Sequence, residues 1–175
     1  PMSLSIGSCS WKFPSWAGVV YSSREPSSFL AEYARTFRTV EIDQWFWSLF
    51  GQESVKLPEV EDVARYLAGV DREFTFAIKA PNSVTLTHLY RHLSGDGGKP
   101  NPHFLSSKLM RSFLERIAPM RGQVASIMLQ FEYLNRKKMG GVAELVDRLG
   151  AFFDQLPPAW PYAVEIRNPN YLNAD

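Results

Sequence analysis

An α/β fold built on a parallel sheet is what the sequence predicts, and three observations carry the prediction. Short runs rich in β-branched and aromatic residues alternate with longer runs of helical periodicity. The connections between the short runs are long enough to cross back over a sheet. Each strand is also two-faced, with apolar side chains on one parity and small or charged ones on the other. A doubly wound sheet buries both faces and favours continuous apolar strands. A polar inner face instead fits a barrel whose lumen turns polar toward the carboxyl ends of its strands. The expectation is therefore an incomplete TIM-like (β/α) barrel of about five βα units, one domain over residues 1–175 with no second domain.

The elements follow in order. Leu4 to Cys9 is the first expected strand. Residues 26–36 are helical: Phe29, Leu30, Tyr33, Ala34 and Phe37 recur at helical spacing, and Pro26 suits a first turn. Thr39 to Asp43 is a strand with Val40 and Ile42 on one face and Glu41 and Asp43 on the other. Residues 58–68 form a helix whose acidic start (Glu59, Glu61, Asp62) suits the positive end of the helix dipole. In the strand Phe74 to Lys79, Phe74, Phe76 and Ile78 oppose Thr75, Ala77 and Lys79. A long loop is expected over residues 80–104, rich in Gly, Pro, Asn and His. A helix over 104–117, a strand over 124–131 and a helix over 141–154 follow. The last strand, Tyr162 to Arg167, places Ala163, Glu165 and Arg167 on its polar parity.

Composition narrows the function classes. Apolar residues make up 45% and charged residues 21% of the 175, an ordinary globular mixture. No apolar run approaches the roughly eighteen residues of a membrane span, so no membrane partner is expected. The single cysteine, Cys9, excludes an internal disulfide. A cytoplasmic setting is expected, with Cys9 as a buried, inert thiol. Net charge is only +1, but it is uneven: residues 76–175 hold twelve Lys/Arg against eight Asp/Glu. That excess includes Lys99, Lys108 and Arg136-Lys137-Lys138. It reads either as solvated helix surface or as a patch for phosphate-bearing partners, nucleic acid included.

The candidate chemistry sits at strand ends. Glu41, Asp43, Lys79, Gln130, Glu165 and Arg167 all fall near carboxyl termini of expected strands, where barrel enzymes place their sites. Crowded charges must pair or hydrogen-bond, so one reading is a structural ion-pair network. The other is a polar pocket. There Arg167 and Lys79 hold an anionic or hydroxyl-rich ligand, and Glu41 or Glu165 serves as general base. Asp43, His88, Gln130 and Trp11 join that pocket as ligand-binding candidates. Trp16, Tyr21, Trp45, Phe46 and Trp47 also follow strand ends and read as mouth aromatics or as loop packing. Glu41, Asp43 and Glu165 are a conceivable carboxylate set for Mg²⁺ or Mn²⁺; no cofactor is assigned. His88 and His92 are four apart, without the Glu of a metalloprotease motif. Gly95-Asp96-Gly97-Gly98 has neither phosphate-loop nor dinucleotide spacing.

Five ordered segments carry a resemblance: 6–11 (IGSCSW), 40–43 (VEID), 76–81 (FAIKAP), Thr87-His88, and 163–169 (AVEIRNP). In these the chain resembles the YecE-like family, domain of unknown function 72. The resemblance implies a TIM-barrel-like fold, no established activity, and three further strands in full-length relatives. The chain departs from the family pattern at Asp43, where Asn is usual. It departs again at Gln130-Phe131-Glu132-Tyr133 and at Asn168-Pro169-Asn170-Tyr171. The functional expectation is an enzyme, a hydrolase or isomerase, acting on a small phosphorylated or hydroxyl-rich substrate by acid–base or carboxylate–metal chemistry. A nucleic-acid-binding, nuclease-like module and a non-catalytic scaffold are the alternatives.

Overall fold

A computed structural model describes residues 4–91 and 98–172. Its centre is a four-stranded parallel sheet of β1 (Thr39–Ile42), β2 (Thr75–Lys79), β3 (Val124–Gln130) and β4 (Tyr162–Glu165). Spatial order follows chain order, β1-β2-β3-β4. The helices between them are α1 (Phe29–Tyr33), α2 (Val60–Ala68), α3 (Asn82–Thr85), α4 (Ser107–Arg116) and α5 (Val142–Phe153).

Strand parity fixes which face is covered. Val40 and Ile42 of β1, Phe76 and Ile78 of β2, and Ile127 and Leu129 of β3 are almost fully buried. They form one cluster with Leu30 and Tyr33 of α1, Val63 and Tyr66 of α2, Met110 and Phe113 of α4, and Leu145 and Phe152 of α5. Burying one such Phe or Ile contributes about 2 kcal/mol. Removing its side chain would cost more, because a cavity is left behind. The opposite parity carries Glu41, Ala77, Lys79, Ser126, Gln130 and Glu165, all half-buried. The register aligns these residues across the sheet: Glu41 pairs with Ala77, Ala77 with Ser126, and Gln130 with Glu165.

The helix boundaries have local causes. Ser28 caps α1, its side chain accepting from the Ala31 amide at 3.2 Å, so the helix starts after Pro26 rather than at it. Ser106 does the same for α4, accepting from the Leu109 amide at 3.2 Å. Leu105 just before it has φ of 51°, a left-handed conformation that separates the helix from Phe104.

The expected first strand does not form. Residues 4–9 lie alongside β1, where the Glu41 amide donates to the Ser8 carbonyl at 2.9 Å, and no ladder develops. Leu4 and Ile6 are 87% and 71% exposed, so nothing buries the apolar parity that suggested a strand. The segment is held by Tyr33, whose buried hydroxyl accepts from the Ser8 amide and donates to the Thr39 carbonyl. Gly7 is required there: a Cβ would stand 2.1 Å from the Thr39 carbonyl oxygen. Among the described residues no helix is long and apolar enough to cross a membrane.

Candidate functional site

The polar parity converges at the carboxyl ends of the strands. Lys79 lies two residues past Ala77, the register partner of Glu41, on the same face of the sheet. Its Nζ reaches the Glu41 Oε1 at 3.1 Å, with both side chains only about one-fifth exposed. On the other side, the Gln130 amide donates to Glu165 Oε2 at 2.7 Å. The Arg167 Nε stands 3.3 Å from Glu165 Oε1. Both Glu165 oxygens are therefore engaged, and Glu41 is engaged by Lys79. These two carboxylates orient cations and an amide; neither is a free base.

Between the two pairs lies a concavity of about 360 Å³. Four sequence candidates line it: Asp43, Lys79, Gln130 and Arg167. Phe46 and Trp47, on the turn that follows β1, supply an apolar wall, and Trp47 is 59% exposed. Tyr90 and Glu132 complete the rim. The Asp43 carboxylate has no hydrogen bond or ion pair among the described residues. An open carboxylate facing a space bounded by a lysine and a guanidinium has the elements of a proton acceptor beside an anion clamp.

The loops that bear these residues are fixed by buried amides. Asn82 is 1% exposed, and its Oδ1 accepts from the Ser48 amide, the Ser48 hydroxyl and the Leu49 amide at 2.9–3.0 Å. That clamp ties the loop after β1 to the loop after β2. Asn168, also 1% exposed, exchanges two hydrogen bonds with the Leu134 backbone and ties the loop after β3 to the loop after β4. Asn101 donates to the carbonyls of Ser83 and Leu86. The stretch expected as a long loop over 80–104 contains, where described, the short helix α3 and these fixed hydrogen bonds.

His88 stands next to a second polar chain. Its Nδ1 lies 2.9 Å from the Thr87 hydroxyl, and that hydroxyl donates to Glu132 Oε1 at 3.0 Å. Lys138 pairs with the other Glu132 oxygen. His88 therefore borders a neighbouring concavity of about 440 Å³ rather than the first. His92 and Gly95-Asp96-Gly97 lie outside the described residues.

Several expectations are corrected. Trp11 is 2% exposed and packs edge-on against Tyr66 at 4.9 Å, its carbonyl accepting from the Tyr21 hydroxyl. It is a core residue and lines neither of the two concavities. Cys9 is exposed, not buried, because the segment that carries it has no covering layer. Among the described residues no group of three or more His, Cys, Asp or Glu side chains could hold a metal ion. Glu41, Asp43 and Glu165 therefore do not form the carboxylate set expected for Mg²⁺ or Mn²⁺; Glu41 and Glu165 point to separate cations instead. Sequence reasoning missed Glu132, Tyr90 and Asn82. Glu132 had a signal, lying two residues beyond Gln130, but the strand was expected to end between them. Asn82 had only the weak signal of a polar residue after Pro81.

Comparison with known proteins adds a family and a fold. Residues 5–175 match the family described as protein of unknown function DUF72. The protein YecE of Escherichia coli strain K12 is 27% identical over 167 residues, covering 95% of this chain and 49% of YecE. YecE of E. coli O157:H7 matches equally. The chain thus spans about half the length of the curated relatives it matches. Two crystal structures of DUF72 family proteins are similar. One, from Thermotoga maritima MSB8, is 26% identical with a TM-score of 0.59, covering 93% of this chain and 55% of its own. The other, from Enterococcus faecalis V583, is 19% identical with a TM-score of 0.63, covering 97% and 53%.

Proposed function

The chain belongs to the DUF72 family of proteins of unknown function. On that premise we propose that its sheet is part of a TIM-like barrel wall, and that the carboxyl-end cleft binds a small anionic, hydroxyl-rich molecule and works on it by acid–base chemistry. Support for the barrel comes from sequential strand order and from the buried apolar parity of β1 to β3, the opposite parity remaining half-buried and carrying Glu41, Lys79, Gln130 and Glu165.

The observation that carries the chemical reading is the division of labour among charges. Glu41 and Glu165 hold Lys79 and Arg167, and the cations line the cleft while their carboxylate partners do not. Arg167 presents a planar fork of donors suited to phosphate or carboxylate, and Lys79 adds a point charge. Trp47 and Tyr90 offer apolar surface to the body of the ligand. Asp43 takes the general-base role first given to Glu41 or Glu165, because its oxygens are uncommitted. It would remove a proton from a ligand hydroxyl, from a carbon next to a carbonyl, or from water. Those outcomes correspond to isomerisation or hydrolysis.

The test is a thermal-shift and calorimetric screen of sugar phosphates and inorganic phosphate on the wild type, Arg167→Ala and Asp43→Asn. Arg167 is largely exposed, so its loss should spare the fold. The expected result is binding weakened about 10- to 100-fold by Arg167→Ala, consistent with loss of a charge-assisted contact of about 1.5–3 kcal/mol. Asp43→Asn should keep the ligand and lose its turnover. Equal binding by wild type and Arg167→Ala would contradict the reading.

A further inference from the structure

The lining of the first concavity pairs two cations with two carboxylates, and the neighbouring concavity carries an excess of cations. Three cations line it: Arg91, Lys137 and Lys138. Its one lining carboxylate, Glu132, is already neutralised by Lys138 and accepts from Thr87. Arg91 and Lys137 have no ion pair among the described residues. Their approach has structural causes. Asn135 caps its own turn, its Oδ1 accepting from the Lys137 and Lys138 amides at 3.0 and 3.3 Å, which brings both lysines to the rim. The facing wall is an antiparallel pairing in which the Leu89 amide donates to the Lys99 carbonyl and the Gly98 amide to the Leu89 carbonyl. That wall rests on a small separate core of Leu49, Leu86 and Leu89.

The two concavities adjoin. Leu86, Tyr90 and Glu132 line both. We infer that the second concavity is an anion subsite, and that the ligand is a small molecule with an anionic group at each end. Arg167 and Lys79 hold one end and Arg91 and Lys137 the other. Tyr90 lines both concavities. This inference rests on the proposed cleft and extends it to a substrate class, a bisphosphate-type or phosphate–carboxylate molecule.

Inorganic phosphate is the probe, titrated by calorimetry into the wild type, an Arg91→Ala/Lys137→Ala double variant and Arg167→Ala. All three altered side chains are exposed, so circular dichroism and thermal melting should match the wild type. The expected result is two phosphate sites in the wild type. The double variant should lose the second, weakened about tenfold or more, and keep the first; Arg167→Ala should do the reverse. Wild-type-like binding at two sites by the double variant would overturn the inference while leaving the first cleft standing. Two sites unaffected by Arg167→Ala would instead overturn the reading of the first cleft. A single wild-type site, lost with Arg167, would keep the first cleft and end the second.

Discussion

Glu41 and Asp43 are two residues apart at one strand end, yet the fold gives them different work. Glu41 is within the sheet, where its register partner brings Lys79 to its side chain at 3.1 Å. Asp43 has left the ladder and faces the cleft. Sequence parity places both on the polar face but carries no information about which one finds a cation. The same limit explains Trp11. Its position after a strand end resembles that of a mouth aromatic, but Tyr66 and Tyr21, distant in sequence, draw it into the core. Tyr21 yields a prediction at this scale. Burial pushes its phenol from 10.0 up to about 12, with Tyr33 and Glu32 adding in the same direction. The folded form binds this proton more tightly than the unfolded chain. The associated stability is therefore complete below pH 10 and lost as pH rises from 10 through about 12. Burial raises Tyr66 and Tyr162 as well, so they steepen the same fall. Denaturation followed against pH should show stability unchanged near neutrality and falling across that window. Tyr21→Phe should make the fall shallower while costing about 1 kcal/mol at pH 7 through its lost bond to the Trp11 carbonyl.

At the scale of elements, β1, β2 and most of β3 were legible because they alternate on a period of two against one buried face, and β4 from its sequence parity alone, since its Val164 is 39% exposed. The expected first strand shares the pattern but lacks a layer to bury Leu4 and Ile6, so a pattern alone did not make it a strand. The loops were the least legible part. Their order comes from Asn82, Asn101 and Asn168, single side chains that replace many backbone contacts, and composition reads such residues as turn formers. Asn82→Ala tests how far the cleft depends on them. It would leave two buried amides without their acceptor, each costing about 1–3 kcal/mol, while the Ser48 hydroxyl keeps the Ser83 hydroxyl at 2.8 Å. A loss of about 3 kcal/mol in denaturant unfolding is expected, with ligand affinity falling because the loops after β1 and β2 are no longer joined. A loss under about 0.5 kcal/mol would mean that the clamp is redundant.

For the whole molecule, the proposed site and the apolar core lie on opposite faces of the sheet. Apolar side chains and helices occupy one side of the sheet, and the charged side chains gather on the other, toward the carboxyl ends of the strands. Mutations on the first side should act on folding, and mutations at the cleft on binding. The most direct measurement of that division is a ¹H–¹⁵N correlation spectrum of the protein titrated with inorganic phosphate. The account predicts progressive, saturable shifts at the amides of Phe46, Trp47, Phe131 and Arg167 and at the Trp47 indole, abolished by Arg167→Ala. Shifts confined to the amino ends of the strands, at Thr39, Thr75 and Val124, or unchanged by that substitution, would contradict it.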